Sequence, residues 1–172
     1  MNVTCNLRIA TGTDAGTLTA SGSDADNLNL LNDDSVDTDG NAYKSKPIAV
    51  LSSGTAYSYE RWAKLEFKGT FNAITAVKFY KSAGTLSDSG LDVMAGTTAT
   101  GATPVNTASS VATTTLTSWD AVGEAIDITP SGGITSDGDM TDFMVFQLSA
   151  ADTTTTPGDI GTLTVTFTYN VS

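Results

Sequence analysis

The sequence predicts an all-β domain, and three observations predict it. Of its 172 residues, 30 are threonine, whose branched Cβ suits a pleated, half-exposed surface. Period-two alternation recurs along the chain, most cleanly where Leu163, Val165, Phe167, Tyr169 and Val171 alternate with Thr162, Thr164, Thr166, Thr168 and Asn170. Turn formers separate these runs at intervals suited to a β-sandwich or jelly roll of about eight to ten mostly antiparallel strands with little helix. The length fits a single domain over residues 1–172, with a Thr/Ala/Gly/Ser-rich excursion at about 82–117.

In chain order, Val3, Cys5, Leu7 and Ile9 alternate with Thr4, Asn6 and Arg8 and form the first predicted strand. A polar segment, Thr11 to Ala25, follows, with a short strand expected at Thr17 to Thr19. Leu28 to Leu31 is a short apolar piece, and Asn32 to Asn41 is a loop of turn formers. Pro47 to Leu51, PIAVL, resumes strand character.

The stretch Tyr57 to Lys81 organises the chain and holds five of its eight basic residues, Arg61, Lys64, Lys68, Lys78 and Lys81. Tyr59, Arg61, Ala63, Leu65 and Phe67 share one parity; Glu60, Trp62, Lys64, Glu66 and Lys68 share the other. That is a strand with one buried face. After a Phe-Asn-Ala bend, Ile74 to Tyr80 repeats the signal, with Val77 and Phe79 opposed to Lys78 and Tyr80. The two runs read as neighbouring strands at the centre of a sheet.

From Ser82 to Thr117 the composition drifts to small and hydroxyl residues, with short strands expected at Leu91 to Met94 and Val111 to Leu116. So long a connection in a compact domain predicts strand pairing or contact with another chain. The only short helix is expected around Trp119 to Glu124, before strand character returns at Ala125 to Ile128. Phe143 to Leu148, FMVFQL, is apolar on both parities, as for a strand covered on both faces. The regular run to Val171 ties the C-terminus into a sheet.

The net charge of -11 argues against nucleic acid or an anionic membrane as partner, since both demand a basic face. Histidine is absent, which removes the commonest general base and the usual nitrogen ligand for transition metals. Cys5, the one cysteine, has no partner for an intrachain disulfide and alternates with core residues, so it reads as a small buried apolar side chain. The opening Met-Asn-Val-Thr-Cys shows no basic segment or apolar run of a secretory signal. No window approaches the roughly 18 apolar residues of a membrane span.

Ser35, Asp37, Asp39 and Gly40 fall at the first, third, fifth and sixth places of a calcium loop, but Lys46 stands where the closing glutamate belongs. Asp37 and Asp39 are therefore weak calcium candidates, and an ordinary solvated turn is the favoured reading. Ser136, Asp137 and Asp139 invite the same idea with less support. Trp62 shares phase with charged residues and is expected on the outer face of its sheet. There it either lies against lysine stems or a covering loop, or anchors a partner or stacks on a sugar. Trp119 is the second surface candidate. Arg61 shares parity with buried residues and is expected to meet a carboxylate or stand near a strand end. No nucleophile motif, phosphate loop, dinucleotide fingerprint or metal-ligand cluster occurs. The chain reads as non-enzymatic and without a cofactor.

The segment SYERWAKLEFKGTFNAITAVKFYKSAG resembles a pattern in virion proteins of tailed bacteriophages, carried by Tyr59, Glu60, Arg61, Trp62, Gly69, Thr70, Phe71, Ile74 and Phe79. The resemblance implies a β-sandwich that decorates a capsid or builds a tail part. It also implies the major capsid protein or other virion proteins as partners, a homo-oligomer, and assembly in the host cytoplasm into the virion. The alternative left open is a carbohydrate-binding or adhesin-like β-sandwich using Trp62 and Trp119 as stacking platforms, with calcium in an Asp loop. A hydrolase ranks below both.

Overall fold

The computed structural model describes residues 2–10, 18, 28, 30, 48–98, 116–119, 123–151 and 161–172. Among these there is no helix, and nine strands run in chain order: β1 (Asn2–Ala10), β2 (Thr55–Tyr57), β3 (Arg61–Thr70), β4 (Ile74–Leu86), β5 (Leu91–Thr98), β6 (Thr117–Ser118), β7 (Ile126–Asp127), β8 (Phe143–Ala151) and β9 (Gly161–Val171). They make two antiparallel sheets. The larger has the order β1-β3-β8-β5-β6, with β2 also on β8; the smaller is β7-β4-β9.

One apolar core joins the sheets. From the larger come Ile9, Ala63, Leu65, Phe67, Phe146 and Leu148, and from the smaller Ile74, Val77 and Phe79, all at 3 % exposure or less. Ring contacts fix how the sheets lie across each other. Phe79 of β4 meets Phe146 of β8 at 5.3 Å, and Tyr169 of β9 meets Phe67 of β3 at 4.9 Å. Aromatic pairs at these tilted, edge-on geometries add about 1 kcal/mol each beyond their burial. The arrangement is β-sandwich-like, as the alternation predicts.

β3 and β4 are not neighbours, contrary to expectation: each belongs to a different sheet. The reason is that both sides of β3 are already occupied. β1 pairs along its whole length, from Asn2 opposite Thr70 to Ala10 opposite Trp62. On the other side β8 covers Arg61 to Ala63, and the 138–141 segment continues: Phe67 N–H donates to the Asp139 carbonyl at 3.0 Å and Gly138 N–H to the Phe67 carbonyl at 2.8 Å. The Phe71–Ala73 link therefore carries the chain across the core instead of folding it back as a hairpin.

Two glycines permit close strand approaches. At Gly69, φ is 115° and an added Cβ would collide with the Asn2 carbonyl; at Gly84, φ is 90° and it would collide with the Thr162 carbonyl. β4 is irregular at two places opposite β9, between Thr75 and Lys78 and between Lys81 and Ala83. The first bulge keeps Ile74 and Val77 on the core side although they are three residues apart. It also holds Ala76 at φ 53°, the one positive φ among the described non-glycine residues.

Other elements differ from expectation. Residues 48–51 run outside any strand, and Leu51 is 40 % exposed; the pairing role falls to β2, which lies on the end of β8. Trp119, Gly123 and Glu124 are not helical. In the 82–117 region, Ser82–Leu86 completes β4, and the strand expected at Leu91 to Met94 is the first half of β5, which pairs with β8 in unbroken register from Leu91 opposite Ala150 to Thr98 opposite Phe143. Small side chains are what that neighbour requires, because Gly96 and Ala95 face the bulky Val145 and Phe146. Residues 99–115 lie outside the described residues.

Candidate functional site

The side of the larger sheet turned away from the core brings charged and aromatic side chains together. The pairing register builds it. Trp62 is opposite Ala10 on β1 and Val145 on β8, and Arg8 is opposite Lys64. Alternation therefore places Arg8, Glu60, Trp62, Lys64, Glu66, Phe143 and Val145 on one face. In a solvated sheet that face would be wet. Here it is covered: Glu60, Trp62, Lys64 and Glu66 are at 2 %, 3 %, 4 % and 5 % exposure.

Burial forces each charge to find a partner. Arg8 donates to Glu66 at 2.6 Å, and Lys68 reaches the other Glu66 oxygen at 3.4 Å, so this carboxylate ties β1 to β3. The Trp62 indole N–H donates to Glu60 at 2.8 Å, and its ring packs edge-on against Phe143 at 5.2 Å. Lys64 Nζ lies 4.0 Å from the centre of the same Phe143 ring. Burial pushes the Lys64 ammonium below its ordinary value, with Asp142 acting in the opposite direction. Ala10, Trp62, Phe143 and Val145 form a second apolar cluster here, joined by Leu18 and Leu116.

Trp62 thus has the phase read from the sequence but not the exposure. It is a buried side chain, and neither a sugar platform nor a projecting anchor. Trp119 is likewise buried at 1 % exposure, among Phe79 and Phe146 at 5.4 and 5.6 Å, with its indole N–H on the Glu124 carbonyl at 3.1 Å. Both interaction-surface candidates are structural in the isolated chain. Arg61 opens β3 at 2 % exposure, which agrees with its expected place at a strand end.

Asp37 and Asp39 lie outside the described residues. The other acidic turn is described and its carboxylates are engaged. Asp139 accepts from Thr135 N–H and Ser136 N–H, both at 2.8 Å, and Asp137 accepts from Gly69 N–H at 2.8 Å. These are turn-closing bonds that also fasten the turn to β3. Among the described residues no three Asp, Glu, Cys or His side chains converge as metal ligands. Cys5 is half-buried on the core side of β1, and burial pushes its thiol up to about 11. A thiol so shifted is a poor nucleophile near neutral pH.

The sequence did not reveal that the charged face of β3 is covered. The signal was present in Trp62 standing in phase with the charges beside a strand, Phe143 to Leu148, that is apolar on both parities. No protein-family model, curated protein or solved structure matches this chain.

Proposed function

We propose that this chain is a non-enzymatic structural protein of a virus particle, of the capsid-decoration kind, that stabilises a phage head through contacts between subunits. One observation carries the reading: the ionisable side chains whose partners are resolved serve to fasten strands and turns. Glu66 ties β1 to β3, Asp137 and Asp139 fix a turn against β3, and Glu60 holds the Trp62 indole. Such a molecule invests its polar groups in rigidity, which is what a part repeated over a lattice needs.

The resemblance in Ser58 to Gly84 supports the same reading, because that segment supplies β3 and β4, one strand to each sheet. Its partners would be the major capsid protein or other virion proteins, and its place the particle surface. Binding to the assembled lattice but not to free subunits would then stabilise the particle by mass action. The sugar-binding alternative loses its two stacking platforms to burial.

The test is co-sedimentation of the purified chain with phage particles stripped of their auxiliary proteins. Saturable rebinding at a fixed copy number is the expected result. Absence of rebinding, with glycan binding in its place, would overturn the proposal.

A further inference from the structure

β9 forms one edge of its sheet, pairing with β4 alone among the described residues. Natural edge strands are protected by charge, proline, a bulge or shortness. β9 has none of these. It is 11 residues long, uncharged and proline-free, and the irregularities in its ladder lie on β4.

Apolar burial is also incomplete along this side. Leu163, Val165, Phe167, Tyr169 and Val171 all point to the core, yet each is only half-buried. Val3, Cys5 and Leu7 of β1, the edge strand of the other sheet, are in the same condition. The two edges lie on the same side of the molecule. Tyr169 packs on Phe67 of β3, and β3 is the immediate neighbour of β1. Phe79 of the next strand, β4, packs on Phe146 of the next strand, β8. Among the described residues, this flank thus presents the outer edge of β9 beside the Val3–Leu7 part of β1, with half-buried apolar side chains between them; the far end of β1 is bridged, Ala10 to Leu18.

The register shows what would complete it. Ala73 and Ser172 exchange both backbone hydrogen bonds, at 3.0 and 3.3 Å. Antiparallel ladders alternate, so the even-numbered residues of β9 turn their peptide groups toward β4. The Thr164 carbonyl indeed accepts from Ser82 on β4 at 3.2 Å. The odd-numbered residues from Leu163 to Val171 therefore direct N–H and C=O outward. A second β9 running antiparallel, with Phe167 opposite its own copy, uses all five. Val165 then pairs with Tyr169 and Leu163 with Val171, giving about ten backbone hydrogen bonds. In this register core-side residues meet core-side residues, and Thr164 meets Asn170 on the outer face, so no charge or mismatch opposes the join.

The area suffices. Eleven residues at about 3.3 Å span about 36 Å. Two sheets about 10 Å apart with their outer side chains are about 20 Å thick. That flank offers about 700 Å² per copy, or about 1,400 Å² in total, within the range of stable, specific interfaces.

We infer that two copies of this chain join through antiparallel β9–β9 pairing centred on Phe167, continuing the small sheet across a two-fold axis. This goes beyond the proposed role in a particle and does not depend on it.

The experiment is the mass of the full chain by sedimentation equilibrium across a wide dilution range, for the native sequence and two variants at exposed outer-face positions. T164K/N170K places lysines opposite one another twice at the join; T164K/N170E places opposite charges there. Circular dichroism checks that each folds. The native chain and T164K/N170E are expected to be dimers and T164K/N170K a monomer, with amide exchange at Val165, Phe167 and Tyr169 slow only in the dimers. A monomeric native chain, a T164K/N170K variant that dimerises like the native one, or a monomeric T164K/N170E each overturns the inference.

Discussion

Trp62→Ala separates a buried side chain from a surface anchor. An anchor that projects into solvent costs binding but little stability. A buried Trp62 costs stability, and the magnitude follows from its surroundings. At 3 % exposure the ring removes about 200 Å² from water. At about 25 cal/mol per Å² that is about 5 kcal/mol, and compactness of the denatured chain reduces it to about 3–4 kcal/mol. Losing the 2.8 Å bond to the Glu60 carboxylate adds about 1.5 kcal/mol. The expected total is about 5 kcal/mol, near the upper end for a Trp→Ala change. Trp62→Phe, which keeps an aromatic contact with Phe143 but removes the donor, should cost about 2 kcal/mol. Urea unfolding followed by far-UV circular dichroism measures both. A Trp62→Ala loss below about 1 kcal/mol would refute the argument that this face is covered.

Three further expectations test the backbone and the core. Gly69→Ala should cost about 2–3 kcal/mol, because it combines φ 115° with a Cβ driven into the Asn2 carbonyl; denaturant midpoints and faster exchange of the β1 amides read it out. Ala76→Gly should stabilise by about 0.5 kcal/mol, since relief of about 1–2 kcal/mol of left-handed strain at φ 53° exceeds the added freedom of the unfolded chain. The gain corresponds to about 1–2 °C in Tm by calorimetry, and a lower Tm would contradict it. The Cys5 thiol has its folded value raised from 9.0 to about 11, so its contribution is complete below pH 9 and is lost as pH rises through about 11. Tyr169, also raised by burial, acts in the same direction, whereas the lowered Lys64 acts in the opposite one. The difference in unfolding free energy between the native chain and Cys5→Ala isolates the thiol. It should be flat below pH 9 and shift against the native chain above it.

How much of this was legible in the sequence depends on what alternation reports. It reports which residues share a face, so β1, β3, β8 and β9 stand close to where the pattern places them. It does not report which strand lies alongside. Tyr57 to Lys81 looks like a hairpin because a three-residue bend joins two alternating runs, and only the prior occupation of both β3 edges sends β4 to the other sheet. Nor does alternation report what covers a face. Glu60, Lys64 and Glu66 read as solvated because charges usually are, and their burial depends on contacts remote in sequence. β5 was half hidden for a different reason: its Ala-Gly-Thr-Thr end has small side chains suited to the aromatic strand beside it, and in sequence this is indistinguishable from a linker.

The acidic turn and its neighbours show how a segment without strand signal can do the work of a strand. Beyond Ala63, β8 no longer pairs with β3, and residues 138–141 take its place. Leu65 N–H donates to the Thr141 hydroxyl at 3.0 Å, and Thr141 N–H returns to the Leu65 carbonyl at 3.0 Å. The same hydroxyl donates to the Asp142 carbonyl at 2.8 Å, at a site with 0 % exposure. Thr141→Val keeps the shape and removes both roles of the hydroxyl. It strands a buried Leu65 N–H, which costs about 2 kcal/mol. Because that amide sits in the middle of β3, its loss should also speed exchange at Leu65 and Phe67 more than at the β1-facing Trp62-to-Lys64 register. Thr141→Ser, which retains the oxygen, should restore most of the stability. If Val and Ser behaved alike, the hydroxyl would not be the bond that completes β3 at Leu65, and the backbone bonds of residues 138–141 would hold that edge by themselves.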